Sequence, residues 1–362
     1  MKNINLTRFI RSDLVQYEEY KAVPSAYDIS EQNQVAIEKI DKLDANESVF
    51  GPTKNLYKAL ATYKGYRFYP DPEYKRLRRA IGKYVEMPDN FIAVGSGGDE
   101  LIDLLLRLIL EPKDQVINSP PTFGSYSTST FLNRGVLINI PRIKDFSIEI
   151  EKILNAINDK VKLIIVCNPN NPTGNLTNIN YIIKILDTQK LVLIDEAYFE
   201  FSGKTVLPLI KKYPNLIILR SFSKWAGIAG LRLGYLVASP YLIRQIMKIK
   251  SPYNINVAAE LAGLVALEDY KYQERIINEI IIERNTLYKG IKKNSKLIIY
   301  PSCGNFLFVQ SNETLFLKLK KGFQQNKIAV RYYDSALTGK ALRITVGTST
   351  QNNRVLEIIN NI

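Results

Sequence analysis

The sequence contains no histidine and only two cysteines, and these absences narrow the chemistry that is open to the chain. Without an imidazole there is no Ser-His or Cys-His nucleophile pair, so proton transfer falls to lysine, tyrosine or a carboxylate. Cys167 and Cys303 are far apart in the sequence. Two distant thiols support neither a disulfide framework nor an ordinary zinc site, and we predict no metal.

Long apolar stretches are also missing. No run approaches the roughly 20 apolar residues of a membrane span, and the N-terminal residues lack the apolar core of a signal peptide. Hydrophobic residues make up 46% and charged residues 23% of the 362-residue chain, a composition typical of one large α/β unit or two domains. We therefore predict a cytoplasmic protein without a membrane partner.

Acidic residues are fewer than basic ones. The chain has 49 Lys and Arg against 35 Asp and Glu, which gives a formal net charge of +14. The basic residues are spread along the chain rather than clustered, which disfavours a nucleic-acid-binding face. We expect affinity for small anionic molecules and no nucleic-acid partner.

The segment Ser221–Tyr235, which reads SFSKWAGIAGLRLGY, is the most informative part of the chain. The apolar run LIIL just before it suits a buried parallel strand. Ser221 and Ser223 precede Lys224, and three glycines lie around Arg232, so backbone and guanidinium can both approach an anion. A lysine beside a phosphate-binding loop is what pyridoxal phosphate requires. Taken alone, the segment also fits a solvated lysine in a glycine-rich loop.

Further short apolar runs predict a sheet, and Lys224 would follow one of its strands. They recur near residues 116, 163, 191, 216 and 234, separated by segments of helical length. Such alternation predicts an open, mostly parallel sheet with helices on both faces, and ligands bind at the carboxyl ends of such strands. The polar residues at those ends are Asn171, Asp195, Tyr198 and Lys224. We expect them to lie along one edge.

Two more segments supply candidate ligand contacts. FIAVGSGGDELIDLLLRLIL changes from a strand to a helix through GSGG, where the free amides of Gly98 and Asp99 would face an anion. By itself this segment is better explained as a tight turn before a helix with an acidic first turn. PPTFGSY is a proline turn that presents Phe123 and Tyr126.

The pattern changes after Ser239. Long amphipathic helices are predicted at Tyr241–Lys250 and Val257–Lys292, and four short strands follow them. We therefore predict three parts of the chain: an N-terminal arm (1–47) that packs with the small domain, a large domain (48–251) and a small α+β domain (252–362).

Together these segments resemble the fold type I pyridoxal phosphate-dependent aminotransferases, and within them the histidinol-phosphate aminotransferase group. The resemblance runs from Leu43 to Thr348 and implies an α/β large domain with a mostly parallel central sheet, a smaller α+β domain, pyridoxal phosphate and a homodimer. Its markers, in order, are ANE, YPD, GSGGDE, PPTFGSY, NPNNPTG, DEAYFEF, SFSKWAGIAGLRLGY, SPYNIN, NFLF and LRITVGT.

The resemblance implies roles for the residues that contact the cofactor. Lys224 would bond the cofactor covalently and carry the proton, and Asp195 would pair with its ring nitrogen. Asn171 and Tyr198 would bond its ring oxygen, and Phe123 would stack on its ring. The cofactor's phosphate would contact Gly98, Asp99, Ser221, Ser223 and Arg232, with Tyr69 reaching in from a partner subunit.

The resemblance also implies substrate contacts. Arg343 in LRITVGT would bind an amino acid carboxylate, for which a bidentate guanidinium is suited. Arg331 in IAVRYY would meet a substrate phosphate, with Asn171 and Tyr27 as further contacts. ANES stands where the family has ANENP, and Trp225 follows the lysine where a small residue is common.

These departures surround the substrate, so several functions remain open. The first is amino transfer between glutamate and a small phosphorylated compound, with histidinol phosphate and imidazole acetol phosphate as the default pair. The alternatives are an aminotransferase on another phosphorylated carbonyl compound such as a triose phosphate, a phosphoserine or phosphothreonine decarboxylase, and a non-catalytic binding protein.

Overall fold

The computed structural model describes residues 4–18 and 22–362, so residues 1–3 and 19–21 of the predicted arm lie outside it. The strands are β1 (Asp41–Leu43), β2 (Ile92–Gly95), β3 (Gln115–Asn118), β4 (Val136–Asn139), β5 (Val161–Cys167), β6 (Leu191–Asp195), β7 (Leu216–Ser221), β8 (Gly234–Ala238), β9 (Ile298–Tyr300), β10 (Phe306–Ser311), β11 (Ile328–Ser335) and β12 (Gly339–Thr345).

The α-helices alternate with these strands in the first two thirds of the chain. They are α1 (Ser12–Val15), α2 (Ala26–Asn33), α3 (Lys54–Thr62), α4 (Lys75–Tyr84), α5 (Gly97–Ile109), α6 (Ser125–Leu132), α7 (Ile150–Asn155), α8 (Ile179–Leu186), α9 (Phe199–Ser202), α10 (Pro240–Ile249), α11 (Val257–Glu268), α12 (Tyr270–Lys292), α13 (Glu313–Gln325) and α14 (Ser349–Asn360). Across residues 4–18 and 22–362, none of the helices has the length and hydropathy needed to cross a membrane.

A seven-stranded sheet forms the larger core, in the order β2-β8-β7-β6-β5-β3-β4. Within this sheet β8 runs antiparallel to its neighbours β2 and β7, and the other pairs are parallel. β5 and β7 read as nearly continuous apolar runs because both faces of the sheet are covered. The mostly parallel sheet predicted from the sequence is confirmed.

This strand order gathers polar loops at one edge. The carboxyl ends of the parallel strands meet there, and the beginning of β8 lies at the same edge because that strand runs the other way. Arg232, two residues before Gly234, is thereby brought beside the residues that follow β2 and β7.

A second sheet has the order β1-β11-β12-β10-β9. Strand β1 belongs to the N-terminal arm and pairs in parallel with β11, with Asp41 opposite Ile328. Asp41 also accepts hydrogen bonds from Gln351 and Arg354 of α14. The arm therefore joins the sheet of the C-terminal residues, while the exact domain boundaries remain a prediction.

The single helix predicted over Val257–Lys292 is wrong in one respect, because the chain forms two helices that meet at Asp269. The Asp269 carboxylate accepts hydrogen bonds from Thr53 Oγ1 at 2.7 Å and Asn55 Nδ2 at 2.9 Å. These contacts with the start of α3 fix the break. They join residues more than 200 positions apart, so the apolar periodicity does not report them.

Candidate functional site

A cavity of about 500 Å³ opens where the polar edge of the larger sheet faces β11 and β12 of the second sheet. Its size falls within the range of small-molecule and cofactor sites. All predicted site residues except Tyr27 and Tyr69 line it: Gly98, Asp99, Phe123, Asn171, Asp195, Tyr198, Ser221, Ser223, Lys224, Arg232, Arg331 and Arg343. The described residues contain no cluster of three or more cysteine and acidic side chains that could hold a metal ion.

Lys224 enters the cavity from the loop after β7. Its Nζ donates a hydrogen bond to the Ala45 carbonyl oxygen at 3.0 Å. Burial lowers the pKa of this amine to about 8, and the positive charges of Arg343 and Arg232 act in the same direction. A substantial fraction of the amine is therefore neutral near pH 8, which is the nucleophilic form.

Asp195 ends strand β6 and is only 4% exposed. Burial raises the pKa of its carboxyl group to about 6, although two hydrogen bonds oppose this shift. Tyr126 Oη donates to Oδ2 at 2.5 Å, and the Ala197 amide donates to Oδ1 at 2.9 Å. At neutral pH the group is a fixed, buried carboxylate that can pair with a positive charge in the cavity.

Tyr198 lies beside this carboxylate and is held by a residue of the N-terminal arm. Asn46 Nδ2 donates to Tyr198 Oη at 3.0 Å, and the Asn46 amide donates to Thr345 Oγ1 at 3.0 Å. Asn46 has φ +54°, a left-handed conformation that asparagine tolerates better than most residues. Asn46 is not among the predicted site residues, although it lies within the ANES motif.

The start of α5 and Arg232 form a cradle of backbone and guanidinium hydrogen-bond donors. The amides of Gly98 and Asp99 lie in the first turn of the helix, where backbone N–H groups have no intrahelical partner. Arg232 Nη2 donates to Asp99 Oδ2 at 2.9 Å. Gly97 has φ +76°, a conformation that favours glycine, and a Cβ there would lie 2.5 Å from Arg232 Nη2, so a larger residue would also displace the guanidinium.

Two arginines face the cavity from neighbouring strands of the second sheet. Arg331 on β11 is directly opposite Arg343 on β12, so the two like charges share one face of the sheet. Like charges placed opposite each other cost stability, and an anion between them relieves that cost. Arg343 is 7% exposed and donates through Nη1 to Asn171 Oδ1 at 2.7 Å, while its buried Nε has no hydrogen-bond partner among the described residues. The site therefore fits ligands with anionic groups.

Two predicted residues are not brought into the cavity of their own chain. Tyr69 is 79% exposed and stacks on Tyr253, with ring centroids 4.4 Å apart. Tyr27 lies on α2 and is 73% exposed, and the arm contributes Ala22 and Val23 to the cavity instead. The substrate contact predicted for Tyr27 and the partner-subunit contact predicted for Tyr69 both stay predictions, because each ring is exposed in its own chain.

Comparisons with known proteins show which sequences and structures this chain is similar to. The sequence profile described as Aminotransferase class I and II matches residues 38–359. The chain is 37% identical to the histidinol-phosphate aminotransferase of Dehalococcoides mccartyi over 355 residues, which cover 98% of both chains. It is also 37% identical to the chloroplastic histidinol-phosphate aminotransferase 1 of Arabidopsis thaliana over 362 residues, 99% of this chain and 87% of that protein.

The fold is likewise shared with a solved structure. The histidinol-phosphate aminotransferase of Sinorhizobium meliloti, in complex with pyridoxal-5'-phosphate, superposes with a TM-score of 0.86 at 24% identity, covering 97% of this chain and 98% of that one. The fold class predicted from the sequence is confirmed, and the chain belongs to the class I and II aminotransferase family.

Proposed function

We propose that the protein is a pyridoxal phosphate-dependent aminotransferase that moves an amino group between glutamate and the pair histidinol phosphate and imidazole acetol phosphate. The observation that carries this proposal is the convergence of Lys224, Asp195 and the paired arginines on one cavity. The full-length similarity to curated histidinol-phosphate aminotransferases supports the choice of substrate.

The residues of the cavity fit the cofactor. Its phosphate would be held by Arg232, Ser221, Ser223 and the first-turn amides of α5, where the glycine at 97 leaves room for the guanidinium. Phe123 would cover one ring face, and Asn171 and Tyr198 would donate to the ring oxygen. When bound, pyridoxal phosphate supplies an electron sink for negative charge at the substrate's α-carbon.

Lys224 then performs two tasks with one amine. In its neutral form it would hold the cofactor covalently, and as a free amine it would accept and return the proton at the substrate's α-carbon. The pKa of about 8 suits both tasks, because the neutral and protonated amines are present in comparable amounts near pH 8. Asp195, ionised above pH 6, favours a protonated ring nitrogen.

The paired arginines would let one site bind two different anionic substrates in turn. Glutamate and a phosphorylated partner must bind in turn while presenting different anions. Arg343, which is buried and bonded to Asn171, would receive the carboxylate through its unpartnered Nε, and Arg331 on the neighbouring strand would receive the phosphate. A guanidinium forms bidentate pairs with both kinds of anion.

Arg331→Ala is expected to lower kcat/KM for the phosphorylated substrate by at least about 10-fold, because it removes charge-assisted hydrogen bonds to the phosphate. The glutamate half-reaction should be much less affected, and Arg343→Ala should damage glutamate binding most. Arg275→Ala, on the exposed face of α12, controls for the loss of one positive charge. Equal losses in both half-reactions for the Arg331 variant would contradict the division of roles.

We also propose a homodimer in which Tyr69 reaches the partner's cavity, since this exposed ring contributes nothing to its own. Light scattering is expected to give twice the 41.3 kDa chain mass. Tyr69→Phe should raise the cofactor's Kd by roughly 10-fold without unfolding, because it removes one hydrogen bond to a charged group. Tyr241→Phe, also an exposed tyrosine, is the control. A fully active monomer would refute the dimer.

The cytoplasmic location stays a prediction.

Product analysis separates the proposed function from its alternatives. With glutamate and imidazole acetol phosphate we expect 2-oxoglutarate and histidinol phosphate in equal amounts. A preference for dihydroxyacetone phosphate as acceptor would favour a triose phosphate substrate, and carbon dioxide release from phosphoserine or phosphothreonine without amino transfer would favour a decarboxylase. Absence of all three reactions would favour a binding protein.

A further inference from the structure

A tyrosine outside the predicted site residues lies behind the cavity wall and contacts Asp195. Tyr126 is the second residue of α6 and follows Phe123 by three positions. The two rings meet edge to face, with centroids 5.5 Å apart and planes at 87°. Phe123 lines the cavity, whereas Tyr126 is fully buried behind it. One turn of chain therefore supplies both a cavity wall and a support for the carboxylate.

The hydrogen bonds of Asp195 fix its orientation. Tyr126 Oη donates to Oδ2 at 2.5 Å, and the Ala197 amide donates to Oδ1 at 2.9 Å. Each carboxylate oxygen thus has its own donor, one from α6 and one from the chain just after β6. Rotation of the carboxylate would break at least one of these bonds, and buried hydrogen bonds to charged groups are costly to lose.

Tyr126 also affects the ionisation of this carboxylate. Burial raises the pKa of Asp195 to about 6, and the hydrogen bond from Tyr126 lowers it. Burial raises the pKa of Tyr126 far above its ordinary value, so its hydroxyl remains a donor. The other titratable groups near Asp195 are Asp99, Cys167, Glu196 and Tyr198.

These neighbours do not replace the tyrosine. The two nearby acids raise the pKa of Asp195, and burial raises the pKa of the Cys167 thiol to about 12, which keeps it neutral. The chain has no histidine that could act as an alternative donor. Among the described residues, the Tyr126 hydroxyl is therefore the side-chain donor that favours the charged form of Asp195.

We propose that Tyr126 is a positioning residue that keeps Asp195 oriented and ionised toward the ring nitrogen of the cofactor. This inference rests on the proposed function, because it gives Asp195 its task. It concerns the affinity of the apoprotein for pyridoxal phosphate as well as the catalysed reaction, so it can be tested without turnover.

The test is a titration of the apoprotein with pyridoxal phosphate between pH 5 and 9, for wild type and Tyr126→Phe. The variant is expected to raise Kd by roughly 10-fold at neutral pH. The pH profile of Kd should show an inflection from the titration of Asp195, and in the variant this inflection should lie at higher pH. The reason is that removal of a hydrogen-bond donor to the charged form raises the pKa of a carboxyl group. Tyr74→Phe removes another fully buried hydroxyl, bonded to the Ile255 carbonyl at 2.8 Å away from the cavity, and should leave Kd unchanged.

A double-mutant cycle with Asp195→Asn separates positioning from a general packing effect. If Tyr126 acts through the charge of Asp195, Tyr126→Phe should change Kd little when it is introduced into the Asp195→Asn variant. An equal loss in both backgrounds, or an unmoved pH inflection, would overturn the inference while the proposed function stands. A wild-type protein that binds no pyridoxal phosphate would refute the proposed function, and the inference with it.

Discussion

Lys224→Ala is expected to lower kcat/KM for amino transfer by at least about 10³-fold, because one substitution removes both the covalent attachment point and the group that moves the proton. Borohydride reduction of the wild-type protein with its cofactor, followed by peptide mass analysis, should place the pyridoxyl group on Lys224. Lys250→Ala, which removes a buried lysine outside the cavity, is the matched control. A pyridoxyl group on any other lysine of the active wild type would contradict the assignment.

The pH dependence of the covalent attachment of pyridoxal phosphate to Lys224 follows from the environment of this lysine. Burial and the nearby arginines favour the neutral amine, so the pKa lies at about 8 instead of 10.5. The rate of attachment should therefore rise with pH and level off above pH 8. Arg343→Ala removes one of the positive charges that lower this pKa, so the inflection should move to higher pH.

Asp195→Asn is expected to lower kcat by roughly 10²–10³-fold, since it removes a preorganised charge from a buried site while preserving the shape of the side chain. The covalent bond at Lys224 should still form, because the amine does not contact this carboxylate through any hydrogen bond that the structure describes. The measurement is single-turnover kinetics with glutamate. Asp187→Asn offers a matched control, because Asp187 also accepts a tyrosine hydroxyl, from Tyr213 at 2.9 Å, but lies outside the cavity. A kcat within a few-fold of wild type would contradict the role of Asp195.

The parts of the site that follow strands could be predicted from the sequence. Short apolar runs mark the parallel strands, and the rule that ligands bind at their carboxyl ends places Asp195 and Lys224 at one edge. The cradle of α5 was predictable for the same reason, because glycines between a strand and a helix indicate free amides.

The residues that hold these groups could not be predicted, because their partners are distant in sequence. Asn46 bonds Tyr198 across 152 positions, and Tyr126 bonds Asp195 across 69. The register that sets Arg331 opposite Arg343 depends on the pairing of β11 with β12, which periodicity does not specify.

The most direct test of the proposed amino transfer follows the absorbance of the cofactor-loaded protein during two successive half-reactions. Glutamate alone should convert the spectrum of the lysine-bound cofactor to that of its aminated form, with one 2-oxoglutarate released per chain. Imidazole acetol phosphate should then restore the first spectrum and yield histidinol phosphate. The proposed amino transfer would be contradicted if the spectrum did not respond to glutamate. It would also be contradicted if no phosphorylated carbonyl compound converted the aminated form back to the lysine-bound form.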